Sequence, residues 1–317
     1  MTLRFYFVVT ISIFNFACTQ APTKTYESQP VYRHGGKANT DKVGSIDPIE
    51  IKPETIVLDA RPPFIYSLSH IPGSVNLGWQ EFTETNLKRK GILVKDLFSK
   101  TRRLARLGIG LESSVVVIGD GKSGKGDEAR LAWTLRYLGI KNVEFVGKDY
   151  FDQARWVNDR VKTPPKESAP MWKPSFDTSL LVSKEEVKKF LVKSRDLKPK
   201  DSSKVVEGEI GAEKMTRSRL KIIDCRDSKE YLSDGLNFSP DVDIVNIEWT
   251  EFIDDQGRPD PKIVNKLRNI GIGTGGRIIV LSQSGIESSV VVMTLLKLGI
   301  GEVGHVAGGI DEITGRF

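Results

Sequence analysis

VNLGWQEF, Val75–Phe82, returns as VNIEWTEF, Val245–Phe252. Three further segments recur in the same order around this pair. DAR at Asp59–Arg61 returns as DCR at Asp224–Arg226, LGIG from Leu107 as IGIG from Ile270, and LGIKNVEFVGK from Leu138 as LGIGEVGHVAGG from Leu298. The offsets, roughly 160–170 residues, are too long for a solenoid repeat and fit two copies of one domain. A chain of 317 residues is long enough for both.

Each copy alternates short β-branched runs with helical stretches. In the first, TIVLDA, SVVVIGD and VEFVG read as strands and DEARLAWTLRYLG as a helix. In the second, LKIIDC, RIIVLS and VGHVAG read as strands and SSVVVMTLLKLG as a helix. This alternation predicts an α/β fold in each copy, a central parallel sheet flanked by helices on both faces, with its site at the carboxyl ends of the strands. The boundaries expected are 46–160 for the first domain, 161–177 for a Pro-rich linker and 178–317 for the second domain. The second domain opens on SKEEVKKFLVK, where Ser183 and Glu186 have capping-box spacing, and carries a polar insertion near 195–219 that reads as a mobile loop.

The composition is that of a globular protein: 39% hydrophobic and 28% charged, with a net charge of +6 from scattered Lys and Arg. No nucleic-acid motif stands out, and a solvated basic surface is the expected reading. Cys18 and Cys225 cannot define a disulfide framework, and no Cys/His spacing suggests a metal. Neither a metal nor another cofactor is expected. At the N-terminus, Arg4 precedes FYFVVTISIF, an apolar run too short to span a bilayer but suited to a signal peptide. The following NFAC resembles the bacterial lipoprotein signal, except at Asn15, where that pattern usually has Leu. The resemblance implies a signal peptide over 1–18, Cys18 as the lipidated residue, and an exported protein held to a membrane on the periplasmic side of the cell envelope. Plain secretion and a retained anchor are the alternatives. Residues 19–45 are polar and aperiodic, a flexible tether.

IIVLSQSGIESS, Ile278–Ser289, outlines a strand, a tight corner and the first turn of a helix. Backbone N–H groups converge in such a corner and favour a nucleophile or an anion. The residue there is Ser282, followed by Gln283, Ser284, Gly285, Ile286 and Glu287. The equivalent position in the first copy is near Gly119, in GDGKSGKGDEAR. That loop is glycine-rich but lacks Walker spacing, since Gly124–Lys125 is followed by Gly126, and it reads as a flexible loop. Ser282 as a nucleophile of its own needs a base; His305 is the one histidine of this half, and a strand histidine reads first as structural.

LDARPPFIYSLSHIPGSVN, Leu58–Asn76, resembles the first signature of the rhodanese family, with Asp59, Arg61, His70, Ile71, Pro72, Gly73 and Asn76 in place. Gly308–Gly309 resembles the second signature, weakened to Gly147–Lys148 in the first copy. The resemblance, to the tandem form of thiosulfate and 3-mercaptopyruvate sulfurtransferases, covers residue 50 onward. It implies an inactive first domain and, in the second, a corner cysteine that carries sulfur as a persulfide. Here that position is Ser282, and the second copy replaces the His-Ile-Pro-Gly pattern with DGLNFSPDVDIVN.

A hydroxyl cannot form the S–S bond of a persulfide, and its proton is far less acidic than a thiol's. Cys225, between Asp224 and Arg226, reads as a small half-buried residue near a strand end. His70 reads as structural. The expected function is therefore a catalytically inactive binding or scaffolding module whose partner is an unknown protein or a small anionic ligand. Glu287 opposes an anion at the corner. The alternatives are a sulfurtransferase that uses Cys225 or an unrecognised mechanism, and an anion-binding or hydrolytic protein that uses Ser282.

Overall fold

The computed structural model describes residues 46–86, 90–158, 167–192, 220–233, 236–240, 242–272, 276–300 and 302–315. The expected signal peptide with Cys18, the tether and the insertion near 195–219 lie outside the described residues.

The strands run β1 (Ile56–Asp59), β2 (Val75–Asn76), β3 (Ser114–Gly119) and β4 (Asn142–Gly147) in the first half. In the second they run β5 (Leu220–Asp224), β6 (Val242–Asn246), β7 (Arg277–Leu281) and β8 (Glu302–His305). They form two four-stranded sheets of identical order, β2-β1-β3-β4 and β6-β5-β7-β8, with every pairing parallel. The helices are α1 (Pro63–Leu68), α2 (Leu97–Arg106), α3 (Asp127–Tyr137), α4 (Lys184–Lys188), α5 (Ser228–Ser233), α6 (Ile263–Asn269), α7 (Glu287–Lys297) and α8 (Gly309–Thr314). The tandem α/β fold expected from the repeats is the fold observed. Ser183 caps α4 as its spacing predicts, its Oγ accepting from Glu186 N at 3.1 Å.

Strand periodicity sorts the core. Leu58, Val115 and Val117 of the first sheet and Ile223, Ile278 and Val280 of the second all point into one hydrophobic cluster that also holds the buried faces of α2, α3, α6 and α7. The alternate residues face outward. Val57, Val116 and Ile118 are covered by Ile49, Tyr150 and Phe151. Ile222, Ile279 and Leu281 are covered by Val187 of α4 and by Ile310 and Ile313 of α8. One core therefore spans both halves. That is why α3 and α7 are buried almost all round: each lies between its own sheet and the other half. The described part of the linker is not free chain. Ala169 N donates to Ala105 O at 2.7 Å, and Trp172 Nε1 donates to Ile109 O at 2.8 Å.

The repeat persists at atomic resolution. Arg61 grips Asp59 at 2.6 Å, and Arg226 grips Asp224 at 2.6 Å, both pairs buried. Asn76 Nδ2 donates to Asp59 O and Arg61 O, and Asn246 Nδ2 donates to Asp224 O and Arg226 O. Each Asp-x-Arg turn is thus locked by the asparagine of the VN pair on the neighbouring strand. Trp79 and Trp249 each open the 3-10 turn that follows.

Candidate functional site: two closed strand-to-helix corners

Sheet register identifies the two corners with each other. Asp59 pairs with Ile118, and Asp224 pairs with Leu281, so Gly119 occupies the place of Ser282. Counting back from the shared Leu-Gly-Ile that ends each helix, Glu128 of α3 corresponds to Ser288 of α7, and Arg130 to Val290.

In the second half the corner turns at Gly285, φ +76°, where a Cβ would lie 1.9 Å from Ala307 O. Only glycine fits this fold of the loop against the end of β8. Ser282 and Ser288 have no solvent exposure, nor does His305. Gly285 N donates to Ser282 Oγ at 3.0 Å, Ser282 Oγ donates to Ser288 Oγ at 3.1 Å, and Ser288 Oγ meets His305 Nδ1 at 2.6 Å. Burial, then the nearby Arg130 charge, holds the His305 imidazole well below its ordinary range, so the ring is neutral. Its edge meets the Trp133 ring at 4.3 Å between centroids. Ser282 and His305 are thus joined through Ser288, in a chain of hydrogen bonds sealed from water.

In the first half the corner holds no side chain of its own, and α3 fills the space. A Cβ on Gly119 would lie 2.0 Å from Glu128 Oε2. The Glu128 carboxyl is buried, makes no well-formed hydrogen bond, and is pushed up to about 8. Burial is the main cause, reinforced by the charges of Asp127 and Asp120; the N–H groups of Glu128 and Gly121 pull the other way and lose. Asp120 is held by Lys148 Nζ at 2.8 Å, and Asp127 accepts from Trp79 Nε1 at 2.5 Å.

Each half closes the other's corner. Arg130, fully buried on α3, donates from Nη1 to Gly285 O at 2.9 Å and from Nη2 to Gly91 O at 2.5 Å. Its guanidinium lies 4.8 Å from the Trp133 ring centre. Burial lowers it to about 9, partly offset by Glu312 and Glu287, which leaves it charged at neutral pH. Gly91 itself sits so close to the second corner that a Cβ there would lie 2.2 Å from Ser284 O. Reciprocally, the turn at Gly257 covers the first corner: Gly147 N donates to Gln256 O at 2.9 Å, and a Cβ on Gly257 would lie 2.6 Å from Gly147 N. Lys122 and Asp255, 3.0 Å apart, pair beside this contact.

The remaining residues singled out in the sequence fall around these corners. Cys225 is fully buried at the end of β5, its N donating to Leu281 O at 2.8 Å. Burial, with Asp224 and Glu287 adding to it and Arg226 opposing, pushes its thiol well above the ordinary range. Arg226 reaches Gln283 Oε1 at 3.3 Å, and Gln283 donates to Asp311 Oδ1. Glu287 is half-buried at the start of α7, with one carboxylate oxygen unpartnered. His70 is buried, bonded through Nδ1 to Tyr66 O at 2.7 Å and stacked on the Tyr66 ring, and so holds the turn after α1. Among the described residues no group of His, Cys, Asp and Glu is arranged to hold a metal.

Sequence reasoning placed Ser282 and Gly119 at the corners but missed Ser288, Glu128 and Arg130. Their signal is weak. Each is a polar residue in the first turns of a helix that buries nearly every side, so each needs a partner inside. One consequence is testable at once. Ser282→Cys is expected to alkylate no faster than buried Cys225 in the native protein, although the corner's N–H groups would favour a thiolate; both should label together in denaturant, by mass spectrometry.

Residues 47–151 match the rhodanese-like domain family. No curated protein matches the chain. Among solved structures, it is similar to SseA from Escherichia coli, described as having the rhodanese fold and catalytic mechanism of 3-mercaptopyruvate sulfotransferases. The identity is 18% and the TM-score 0.57, over 81% of this chain and 93% of that one. It is similar to the 3-mercaptopyruvate sulfurtransferase of Leishmania major at 14% identity and TM-score 0.56, over 83% and 71%. EanB in complex with hercynine matches at 18% identity and TM-score 0.59, over 85% and 64%.

Proposed function

We propose that this chain, whose first half is a rhodanese-like domain and whose fold repeats that domain in its second half, is a catalytically inactive binding or scaffolding module of the cell envelope. The observation that carries the reading is the Ser282 corner. An oxygen stands where sulfur transfer requires a sulfur atom, and its hydroxyl is bonded to Gly285 and Ser288 with no exposure to a donor. Gly119 provides no nucleophile in the other half, and Glu128 fills its space. The Ser282–Ser288–His305 chain does not favour hydrolysis, because a nucleophile must meet its substrate and all three side chains are buried. The closed corners favour a partner that binds elsewhere on the surface.

The second reading is sulfur transfer through Cys225. It is favoured by position alone: Cys225 lies beside the corner, one hydrogen bond from Leu281. Burial and a raised thiol oppose it, since the thiolate is the reacting form. A turnover assay with thiosulfate or 3-mercaptopyruvate as donor and cyanide as acceptor decides between the two. The wild-type rate should equal that of Cys225→Ser and of buffer; a rate well above buffer that Cys225→Ser abolishes would establish the second reading.

A further inference from the structure

Helix α1 buries no side chain. Phe64 is 70% exposed and Leu68 59%, one helical turn apart, with Ile65 39% exposed beside them. From Pro62 to Gln80 there is no Asp, Glu, Lys or Arg, in a chain that is 28% charged. The fold does not require this. Aligned on Asp59 and Asp224, the counterpart helix α5 has Lys229, Glu230 and Ser233 where α1 has Phe64, Ile65 and Leu68. Helix α5 does expose one apolar residue, Leu232 at 45%, but among charged and polar neighbours; α1 exposes three with no charge beside them, so its apolar face answers to something outside the fold.

The chain's own course indicates what that is. Ile49, near the start of the described chain, packs with Ile71, three residues beyond α1, in the cluster on the outer face of the first sheet. The described chain therefore begins on the face that leads to α1. Between Cys18 and the described chain lie 27 residues, 19–45, and a flexible polar segment of that length would reach about 30 Å. If the chain is held at Cys18, such a tether keeps the domain at an effective concentration in the millimolar range at the bilayer. A few apolar side chains, too weak to bind lipid from free solution, are then enough to dock. We propose that Phe64, Ile65 and Leu68 form a bilayer-docking surface that orients the tethered domains on the membrane. This rests on the envelope reading above, with Cys18 as the anchored residue.

The test separates the two claims. The full chain is coupled through the Cys18 thiol to a maleimide lipid in phosphatidylcholine vesicles; Cys225 is buried and does not compete. Phe64→Trp is read against wild type by quenching from bromine-labelled acyl chains, with Lys229→Trp on α5 as the control. The docking surface predicts quenching and a blue shift at position 64, neither at 229, and a docked fraction lowered about tenfold by Leu68→Ser. No quenching at 64, or equal quenching at both positions, would overturn it, as would concentration-dependent dimers that Leu68→Ser abolishes while quenching is absent. Acylation of Cys18 is measured separately, by mass spectrometry of the membrane fraction from a bacterial host. Its absence removes the anchor but leaves the vesicle result readable.

Discussion

Arg130→Ala is expected to cost about 3–5 kcal/mol of stability and to lower the melting temperature by roughly 10 °C. Two losses combine. The guanidinium and its stem leave a cavity at the centre of the core shared by both halves. Gly285 O and Gly91 O, its acceptors at 2.9 and 2.5 Å, are left buried without a donor. Arg130→Met separates these effects. It refills the volume and removes a charge that burial disfavours, so it should recover part of the loss although the carbonyls stay unpaired. Arg130→Lys keeps a charge but offers one compact ammonium where two diverging N–H groups are used. The same substitution should loosen the second corner: Ser282→Cys combined with Arg130→Ala is expected to alkylate faster than Ser282→Cys alone. Equal stability of wild type and Arg130→Ala by urea unfolding would show that the two halves are not locked at this point.

Glu128→Gln is expected to stabilise the protein, by an amount set by pH. The folded-state value of about 8 lies above the ordinary 4.5. Between these values the folded protein holds a proton that the unfolded chain has released. Stability from this group is therefore fully present below about pH 4.5 and is lost as pH rises toward 8. Glutamine is uncharged throughout. Its advantage should be absent at pH 4, grow across the interval and level off above pH 8, at an upper value on the order of 5 kcal/mol. His305 has the opposite sign: held neutral in the fold, it contributes stability that is lost as pH falls below about 6.5. The variant and wild type share that effect, so their difference isolates Glu128. A difference that does not change with pH would mean that Glu128 is ionised in the fold.

The sequence made the fold legible because the repeats carry it. The VN pair, the Asp-x-Arg turn and the Leu-Gly-Ile after each long helix are local signals, and each is tied to a strand or helix end. The corner loop was legible for the same reason: Gly285 marks a turn that only glycine makes, and Ser282 follows a buried strand. What closes the corners was not legible. Arg130 meets Gly285 across 155 positions of sequence, and Gly257 meets Gly147 only once two whole domains have packed. Nothing in the residues around Arg130 names its acceptors. Glu128 reads as an ordinary first-turn acid suited to a helix N-terminus, until the missing side chain at Gly119 lets it fold back into the corner. Ser282 read from its loop alone looks accessible; the other half makes it buried.

The absence of sulfur transfer at either corner is an expected outcome. Its most direct measurement is the intact mass of the purified protein after incubation with thiosulfate and, separately, with 3-mercaptopyruvate, followed by peptide mapping of Cys225. An unchanged mass and an unmodified Cys225 peptide are the expected result. A one-sulfur increment on Cys225, formed by either donor, discharged by cyanide and absent from Cys225→Ser, would contradict it.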